Sequence, residues 1–222
     1  MLQAVGIGRR DSGNDWLFRH INVTLHPGDR RSLVGPTGSG KTLLLRALAL
    51  LDPVDEGAIL WHGEPVAGNE VPRYRSRVIY LHQRAALFDG TVEDNLQLVF
   101  ELQAHRGRDF DRQRIVRRLE TLGRSESFLH RRQSELSGGE QQIVALLRAV
   151  QLDPHVLLLD EPTASLDAAS KSTVESLVDA WYRADPSHRC LIWVTHDAKQ
   201  AERVGDSIWH LRAGRLEEDV SR

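Results

Sequence analysis

Hydrophobic positions along the chain alternate between short apolar runs and longer stretches with helical spacing. We predict six strands, over residues 32–34, 58–61, 77–81, 156–159, 190–194 and 207–211. The last three are interpreted as strands buried on both faces, as in a parallel sheet covered by helices. Because strands alternate with helical patterns, the sequence predicts an α/β fold with a parallel sheet.

Helical spacing predicts the elements between these strands, over residues 41–51, 140–151 and 168–183. The first is apolar nearly all round, which indicates burial, whereas the other two carry one apolar face each. From Arg84 to Glu135 we find helical patterns and no strand, with helices predicted over 92–101 and 111–122. This middle region is interpreted as an all-helical insertion in the α/β core.

Composition narrows the class of protein. The chain has 222 residues, 41% hydrophobic and 27% charged, with a net charge of −2. These values are typical of a globular domain and exclude a disordered, fibrous or strongly basic nucleic-acid-binding protein. A single cysteine, Cys190, excludes an intramolecular disulfide and favours a reducing compartment. No apolar run approaches the ~18 residues that cross a bilayer, and the apolar stretch before Arg9 is too short for a secretory signal.

One motif points to phosphate chemistry. The pattern G-x-x-x-x-G-K-[ST] is formed by Gly35, Pro36, Thr37, Gly38, Ser39, Gly40, Lys41 and Thr42. A predicted strand precedes it and a predicted helix follows, so backbone N–H groups and the helix N-terminus would face phosphate oxygens. We expect Lys41 to reach the β/γ-phosphates and the Thr42 hydroxyl to bind Mg²⁺. The simpler alternative is a glycine-rich turn.

A carboxylate pair follows the predicted strand at 156–159. Asp160 at the end of a buried strand suits Mg²⁺ coordination, and Glu161 would orient or deprotonate an attacking water. Such a pair is often only a helix cap, but a phosphate loop upstream makes the functional interpretation stronger.

Four further segments resemble one known family. Leu136-Ser137-Gly138-Gly139-Glu140 resembles the signature of ABC-type ATPases. Ala164-Ser165-Leu166-Asp167 is similar to the D-loop, Thr195-His196-Asp197 to the switch-histidine segment, and Gln83 to the Q-loop glutamine. These elements occur in family order and cover essentially the whole chain.

The resemblance implies a fold and a domain organisation. It implies a P-loop NTPase (RecA-like) core with a parallel sheet, an N-terminal antiparallel β subdomain and an inserted α-helical subdomain. One ABC ATPase domain would span 1–222, with the α/β core at 1–83 and 140–222 and the helical subdomain at 84–139.

The resemblance also implies cofactors, partners and roles. The cofactors would be ATP and Mg²⁺, with metal contacts from Thr42, Gln83 and Asp160. Catalysis would rest on Glu161, His196 and Gln83, with His196 as the sensor of the γ-phosphate. In an ATP-bound homodimer, Ser137, Gly138, Gly139 and Asp167 would contribute to nucleotide binding, with the signature serving the nucleotide of the other protomer. A serine-capped helix start describes 137–139 equally well. Partners would be integral-membrane permease subunits, at the cytoplasmic face of the cell membrane.

Some positions depart from the family pattern. Glu140 stands where glutamine is common, and Ile143 where arginine is common, whereas Arg148 matches a second family arginine. No aromatic residue lies near Ser12, where an adenine-stacking ring is expected. Trp16 is the nearest candidate and is alternatively a strand residue.

Residues 87–96 resemble a run that follows the Q-loop in exporter-type ABC ATPases. Together with the short chain and residues 192–197, they resemble the short ATPases of iron-export systems, so export is favoured over import. An apolar docking surface for the permease would comprise Leu87, Phe88, Leu98, Val99 and Phe100. Internal packing of the helical subdomain is the equal alternative.

A basic cluster and three other functions remain to be weighed. Six arginines lie in or near the helix predicted at 111–122, namely Arg106, Arg108, Arg112, Arg114, Arg117 and Arg118. We interpret them as a solvated helix face, with anionic headgroup contact as the alternative, and expect no nucleic acid. Rival functions are a soluble ABC-type ATPase, a nucleotide-dependent interaction switch and a P-loop kinase.

Overall fold

The computed structural model describes residues 1–219, in which ten strands form two sheets. The antiparallel sheet comprises β1 (Leu2–Arg10), β2 (Trp16–Leu25), β4 (Glu56–Trp61) and β5 (Glu64–Pro65), in the order β2-β1-β4-β5. β1 pairs antiparallel with both β2 and β4. The expected antiparallel β subdomain is therefore present at the N-terminal end of the chain.

The second sheet is built on parallel strands. It comprises β3 (Arg30–Val34), β6 (Val78–Leu81), β7 (Val156–Asp160), β8 (Cys190–Val194), β9 (Ser207–Arg212) and β10 (Arg215–Asp219), in the order β10-β9-β3-β8-β7-β6. β3 runs parallel to β8 and β9, and β7 parallel to β8. The predicted α/β fold with a parallel sheet is confirmed.

The predicted burial holds for two of the three apolar strands. Every residue of β7 and β8 is buried. In β9, Ser207, Trp209 and Leu211 are buried but Ile208 and His210 only partly so, and burial on both faces was the wrong prediction there. β9 is less buried because it is the second strand from the lateral edge of the sheet, with only β10 beyond it.

Among the described residues, five helices lie at predicted positions, whereas two short helices, over residues 71–75 and 198–204, were not predicted. The helices are α1 (Lys41–Leu48), α2 (Val71–Arg75), α3 (Val92–Gln97), α4 (Arg112–Thr121), α5 (Gly138–Val150), α6 (Ala168–Ala184) and α7 (Ala198–Val204). The single helix predicted at 92–101 is instead α3 followed by a 3₁₀ turn at Leu98–Glu101. Gln151 Nε2 donates to the Leu96 carbonyl at 2.8 Å, which satisfies this oxygen without a continuing α-helix.

The chain forms two compact units. The first contains residues 1–80, 155–161 and the described residues from 185 onward; the second contains 81–154 and 162–184. Both sheets of the first unit contribute to one core, where Phe18 and Leu25 join Leu45 of α1 and Ile192 of β8. The boundaries predicted from the sequence at 83/84 and 139/140 stay a prediction.

The second unit is helical and packs the predicted apolar faces. Ile143 and Leu147 of α5, Val174 of α6, and Ile115 and Leu119 of α4 are all fully or almost fully buried. In the described residues, 1–219, no helix is long and apolar enough to cross a membrane.

Three arginines of the predicted basic cluster form contacts of clear geometry inside the second unit, namely Arg108, Arg112 and Arg114. Arg114 forms two hydrogen bonds with Asp153, at 2.7 and 2.6 Å. Arg112 pairs with Glu93 and Glu126, and Arg108 Nη1 donates to the Leu152 carbonyl at 2.8 Å. These contacts favour a structural role for the three arginines over contact with headgroups.

Candidate functional site

The phosphate loop lies between β3 and α1 in the first unit. β3 ends at Val34, residues 35–40 turn, and α1 begins at Lys41. A Cβ on Gly35 would lie 2.3 Å from the Leu211 carbonyl oxygen of β9, so only glycine fits. Gly40 caps α1 with a φ of 96°, a conformation that favours glycine. The motif therefore has the strand–loop–helix context that a phosphate loop requires.

Polar groups in this loop are directed inward. The Lys41 side chain is buried, and its Nζ donates to the carbonyls of Gly35 at 2.8 Å and Pro36 at 3.0 Å. Burial lowers the pKa of Lys41, which the carboxylates of Glu161 and Asp160 oppose. Within residues 1–219, the Ser39 hydroxyl is buried and has no hydrogen-bond partner. An oxygen-rich anion at the loop would supply the missing acceptor, so the loop fits the phosphates of a nucleotide.

Asp160 ends β7 and is almost fully buried. Its Oδ2 accepts a hydrogen bond from the Tyr80 hydroxyl at 2.8 Å. Burial, and then the neighbouring carboxylate, raise the pKa of Tyr80, so the phenol remains a neutral donor. Sequence reasoning missed Tyr80, because no motif marks it and the contact spans 80 positions of the chain.

Glu161 and His196 are in direct contact. The His196 Nε2 atom lies 2.5 Å from Glu161 Oε1, although the residues are far apart in sequence. They meet because β7 and β8 are adjacent parallel strands in which Asp160 is paired with Val194. Glu161 and His196 therefore follow the carboxyl ends of neighbouring strands. Glu161 adopts a φ of 47°, a left-handed conformation that costs a non-glycine residue about 1 kcal/mol. Residues held in such conformations cluster at functional sites.

The segment around His196 is fixed on both sides. The buried Thr195 hydroxyl donates to Gln200 Oε1 at 2.6 Å. Asp197 caps α7, because its carboxylate accepts from the Gln200 backbone N–H at 3.1 Å. His196 itself is 45% exposed, so the anchored backbone presents a largely open imidazole beside Glu161.

Three neighbouring parallel strands thus bring these groups to one edge of the sheet. β3, β8 and β7 are adjacent, and the phosphate loop, His196 and the carboxylates follow their carboxyl ends. Ligands of open α/β sheets bind at this edge. A buried lysine, an unpaired hydroxyl and two carboxylates suit a polyphosphate with a divalent cation.

The signature residues begin α5 in the second unit. Ser137 caps the helix, with its Oγ accepting from Glu140 N at 3.3 Å and its own N donating to Glu140 Oε2 at 2.9 Å. The N–H groups of Gly138 and Gly139 lie in the first turn, where an α-helix offers no internal acceptor. The serine cap predicted as the simpler interpretation is present, and it leaves the hydroxyl proton of Ser137 available to a ligand.

Asp167 caps α6 and is linked to the signature. Its carboxylate accepts from Ser170 N at 3.0 Å and from Ser170 Oγ at 2.7 Å, and these bonds lower the pKa of Asp167. A Cβ on Gly139 would lie 2.5 Å from the same Ser170 Oγ. Ser170 therefore connects the D-loop-like segment with the signature, a contact that sequence reasoning missed.

The remaining candidates lie in loops and at a strand end. Gln83 is exposed in the loop after β6. Arg148 Nη2 donates to the Ala86 carbonyl at 2.7 Å and lies over the Phe88 ring, so it shapes this loop. Phe88 is 59% exposed, whereas the other predicted docking residues are partly buried.

Trp16, the candidate for stacking on adenine, is the first residue of β2, and the guanidinium groups of Arg10 and Arg19 lie 4.1 and 4.4 Å from its ring centroid.

Comparisons with known proteins agree with this geometry. The family described as ABC transporter matches residues 18–164. A probable iron export ATP-binding protein, FetA of Escherichia coli (strain K12), is 34% identical over 220 residues, covering 98% of this chain and 95% of its own. A sulfate/thiosulfate import ATP-binding protein, CysA of Mesostigma viride, is 38% identical over 210 residues, 93% of this chain. The present chain spans only 58% of the length of that relative.

Solved structures share the fold over almost the whole chain. The dimeric structure of MJ0796, a bacterial ABC transporter cassette, superposes with a TM-score of 0.83 at 27% identity, covering 99% of this chain and 98% of its own. A dimeric post-hydrolysis state of the same cassette, bound to ADP and Pi, gives a TM-score of 0.84 at 25% identity and the same coverage.

Proposed function

Since this chain belongs to the ABC transporter family, we propose that it is the ATP-hydrolysing subunit of a transporter and drives separate permease subunits in the membrane. The proposal rests most directly on the contact between Glu161 and His196, at the sheet edge where the phosphate loop begins. A soluble ABC-type ATPase or a non-hydrolysing switch remains the alternative.

Each residue of the edge has a task in hydrolysis. The phosphate loop with Lys41 binds the ATP phosphates, and Thr42 and Asp160 would supply oxygen ligands for Mg²⁺, with Gln83 as the further ligand that the family resemblance implies. Mg²⁺ neutralises charge on the phosphate oxygens when bound. Glu161 accepts a hydrogen bond from the attacking water and orients it, and His196 holds the Glu161 carboxylate in place.

The signature completes the site of a second copy of the chain. Ser137, Gly138 and Gly139 offer one hydroxyl and two backbone donors at the start of α5, which suits the terminal phosphate of a nucleotide held by another protomer. Asp167 accepts a hydrogen bond from Ser170, and Ser170 lies against Gly139. The dimeric form of the similar cassette supports this arrangement.

Steady-state ATPase assays test the enzymatic part. Glu161→Gln should lower kcat by about 100-fold or more, because a neutral amide still accepts a hydrogen bond but cannot take up the proton of the attacking water. Glu202→Gln changes the same functional group at an exposed position of α7 and should leave kcat unchanged. Equal activity of both variants and the unmodified chain would contradict the assigned role of Glu161.

Within this function, export of a metal ion such as iron is favoured over import. The probable iron exporter is similar over nearly its full length, whereas the first importer is matched over 58% of its length. The exporter-like run at 87–96 points the same way, with Phe88 exposed for a permease. ATP-driven accumulation of iron in inverted vesicles holding this subunit and its permease would support export, and accumulation in right-side-out vesicles would support import.

The proposed location is the cytoplasmic face of the cell membrane, where the chain would be held by its permease. Cell fractionation should recover the chain with membranes when the permease is present. Without the permease, the chain should be recovered in the supernatant.

A further inference from the structure

We propose that Arg124 and Arg131 are positioning residues for ATP hydrolysis, acting through Glu140 to hold the start of the signature helix in its binding geometry. This rests on the proposed function, since it requires the signature to serve the nucleotide of a partner protomer. None of the sequence motifs includes either arginine.

Both arginines converge on one carboxylate oxygen. Arg124 Nη1 donates to Glu140 Oε1 at 2.9 Å, and Arg131 Nη1 donates to the same atom at 2.6 Å. The other oxygen, Oε2, accepts from the Ser137 backbone N–H at 2.9 Å. Glu140 therefore joins two cations on one side to the signature serine on the other.

The arginines are themselves held in place. Their guanidinium groups lie 4.7 Å and 5.6 Å from the ring centroid of the buried Phe128. Arg131 Nη2 also donates to the Glu135 carbonyl at 2.6 Å, just before the signature. A planar guanidinium fixed by an aromatic face and a carbonyl loses little further entropy on binding the carboxylate.

Charge explains why Glu140 is paired with cationic side chains. An unpaired carboxylate in the first turn of α5 would repel the phosphate that the signature is proposed to bind. The Glu140 side chain is only 16% exposed, so solvent alone would screen it weakly. Although burial opposes ionisation, hydrogen bonds from Ser137, Arg131 and Arg124 lower the pKa of Glu140 to about 2. The cluster of two guanidiniums and one carboxylate carries a net positive charge at every assay pH.

A variant series with three measurements separates positioning from general stability. Arg124→Gln and Arg131→Gln, alone and together, would be compared with Arg112→Gln, a control that also loses two carboxylate contacts in the same unit. The measurements are ATP affinity of the monomer, kcat, and ATP-driven dimerisation in the Glu161→Gln background. Each single variant should lower kcat and dimer affinity about tenfold, the effect of losing one hydrogen bond to a charged group. The ATP affinity of the monomer should not change in these variants, and none of the three measurements should change in Arg112→Gln.

Replacing the Glu140 carboxylate tests whether its uncompensated charge causes the loss of activity. In the Arg124→Gln/Arg131→Gln background, Glu140→Gln should recover part of the lost kcat, because it removes the uncompensated charge. Amide hydrogen exchange at Ser137 and Glu140 should become faster in the arginine variants and not in the control. If the double variant does not fold, Arg131→Lys keeps the charge, loses the two-pronged contact, and should still lower kcat.

The outcomes separate this proposal from the proposed function. An unmodified chain that neither hydrolyses ATP nor dimerises would overturn both. Turnover that is unaltered in the arginine variants, or reduced equally in Arg112→Gln, would overturn the positioning role and leave the ATPase intact.

Discussion

The contact between Gly139 and Ser170 allows a sharp mutational test of the signature region. In Gly139→Ala, the new methyl carbon would lie 2.5 Å from Ser170 Oγ and 2.9 Å from Ser170 Cβ. Rotating the hydroxyl away breaks its 2.7 Å hydrogen bond to Asp167, and rotation does not move the Cβ atom at all. Either α5 or α6 must therefore shift.

The expected loss of stability in Gly139→Ala follows from the tight packing of this contact. Adding a methyl group to a tightly packed contact costs about 1–3 kcal/mol. Alanine regains up to about 1 kcal/mol of helix propensity over glycine, which offsets part of the loss. For a chain of this size, each kcal/mol lowers the Tm by roughly 2–4 °C. We expect Gly139→Ala to unfold a few degrees below the unmodified protein in the absence of nucleotide.

The neighbouring glycine is the matched control. A Cβ on Gly138 meets nothing within 4 Å, although it lies in the same turn of α5. Gly138→Ala should therefore keep or slightly raise the Tm measured by calorimetry. Ser170→Gly added to Gly139→Ala should remove the steric part of the loss, which a double-mutant cycle measures. Equal Tm values for the two alanine variants would refute the reasoning.

Three further predictions follow from the site. Gly35→Ala should abolish detectable ATP binding by calorimetry, because its Cβ would lie 2.3 Å from the Leu211 carbonyl oxygen, a backbone atom that cannot rotate away. Tyr80→Phe should lower the free energy of unfolding in urea by about 1–3 kcal/mol, because buried Asp160 loses its donor. The folded pKa of Glu140 is about 2, below its ordinary 4.5, so its contribution is present above pH 4.5 and lost as pH falls towards 2. That contribution is at most about 3 kcal/mol, and the stability gap between the unmodified chain and Glu140→Gln should shrink over this range.

Local patterns predicted the groups that lie on one strand end or one loop. The phosphate loop, Asp160 with Glu161, and the serine cap of α5 are each set by consecutive residues, so the sequence was sufficient for their positions. The meeting of Glu161 with His196 also follows from parallel neighbouring strands, once the order β3-β8-β7 is known.

Contacts between distant segments could not be predicted in this way. Tyr80 on Asp160 and Ser170 against Gly139 join elements that no spacing rule connects. Charge patterning indicated a basic cluster near α4, but only the fold shows that Arg114 pairs with Asp153. Short elements such as α7, with seven residues, carry too little periodicity to be recognised from the sequence.

The measurement that tests the central claim most directly is sedimentation of the Glu161→Gln protein with and without Mg-ATP, beside the steady-state ATPase of the unmodified chain. The account predicts a monomer without nucleotide, a dimer with Mg-ATP, and turnover that is lost in the variant. A chain that binds ATP yet stays monomeric, with turnover surviving in the variant, would contradict both the role of Glu161 and the action of the signature across a dimer interface.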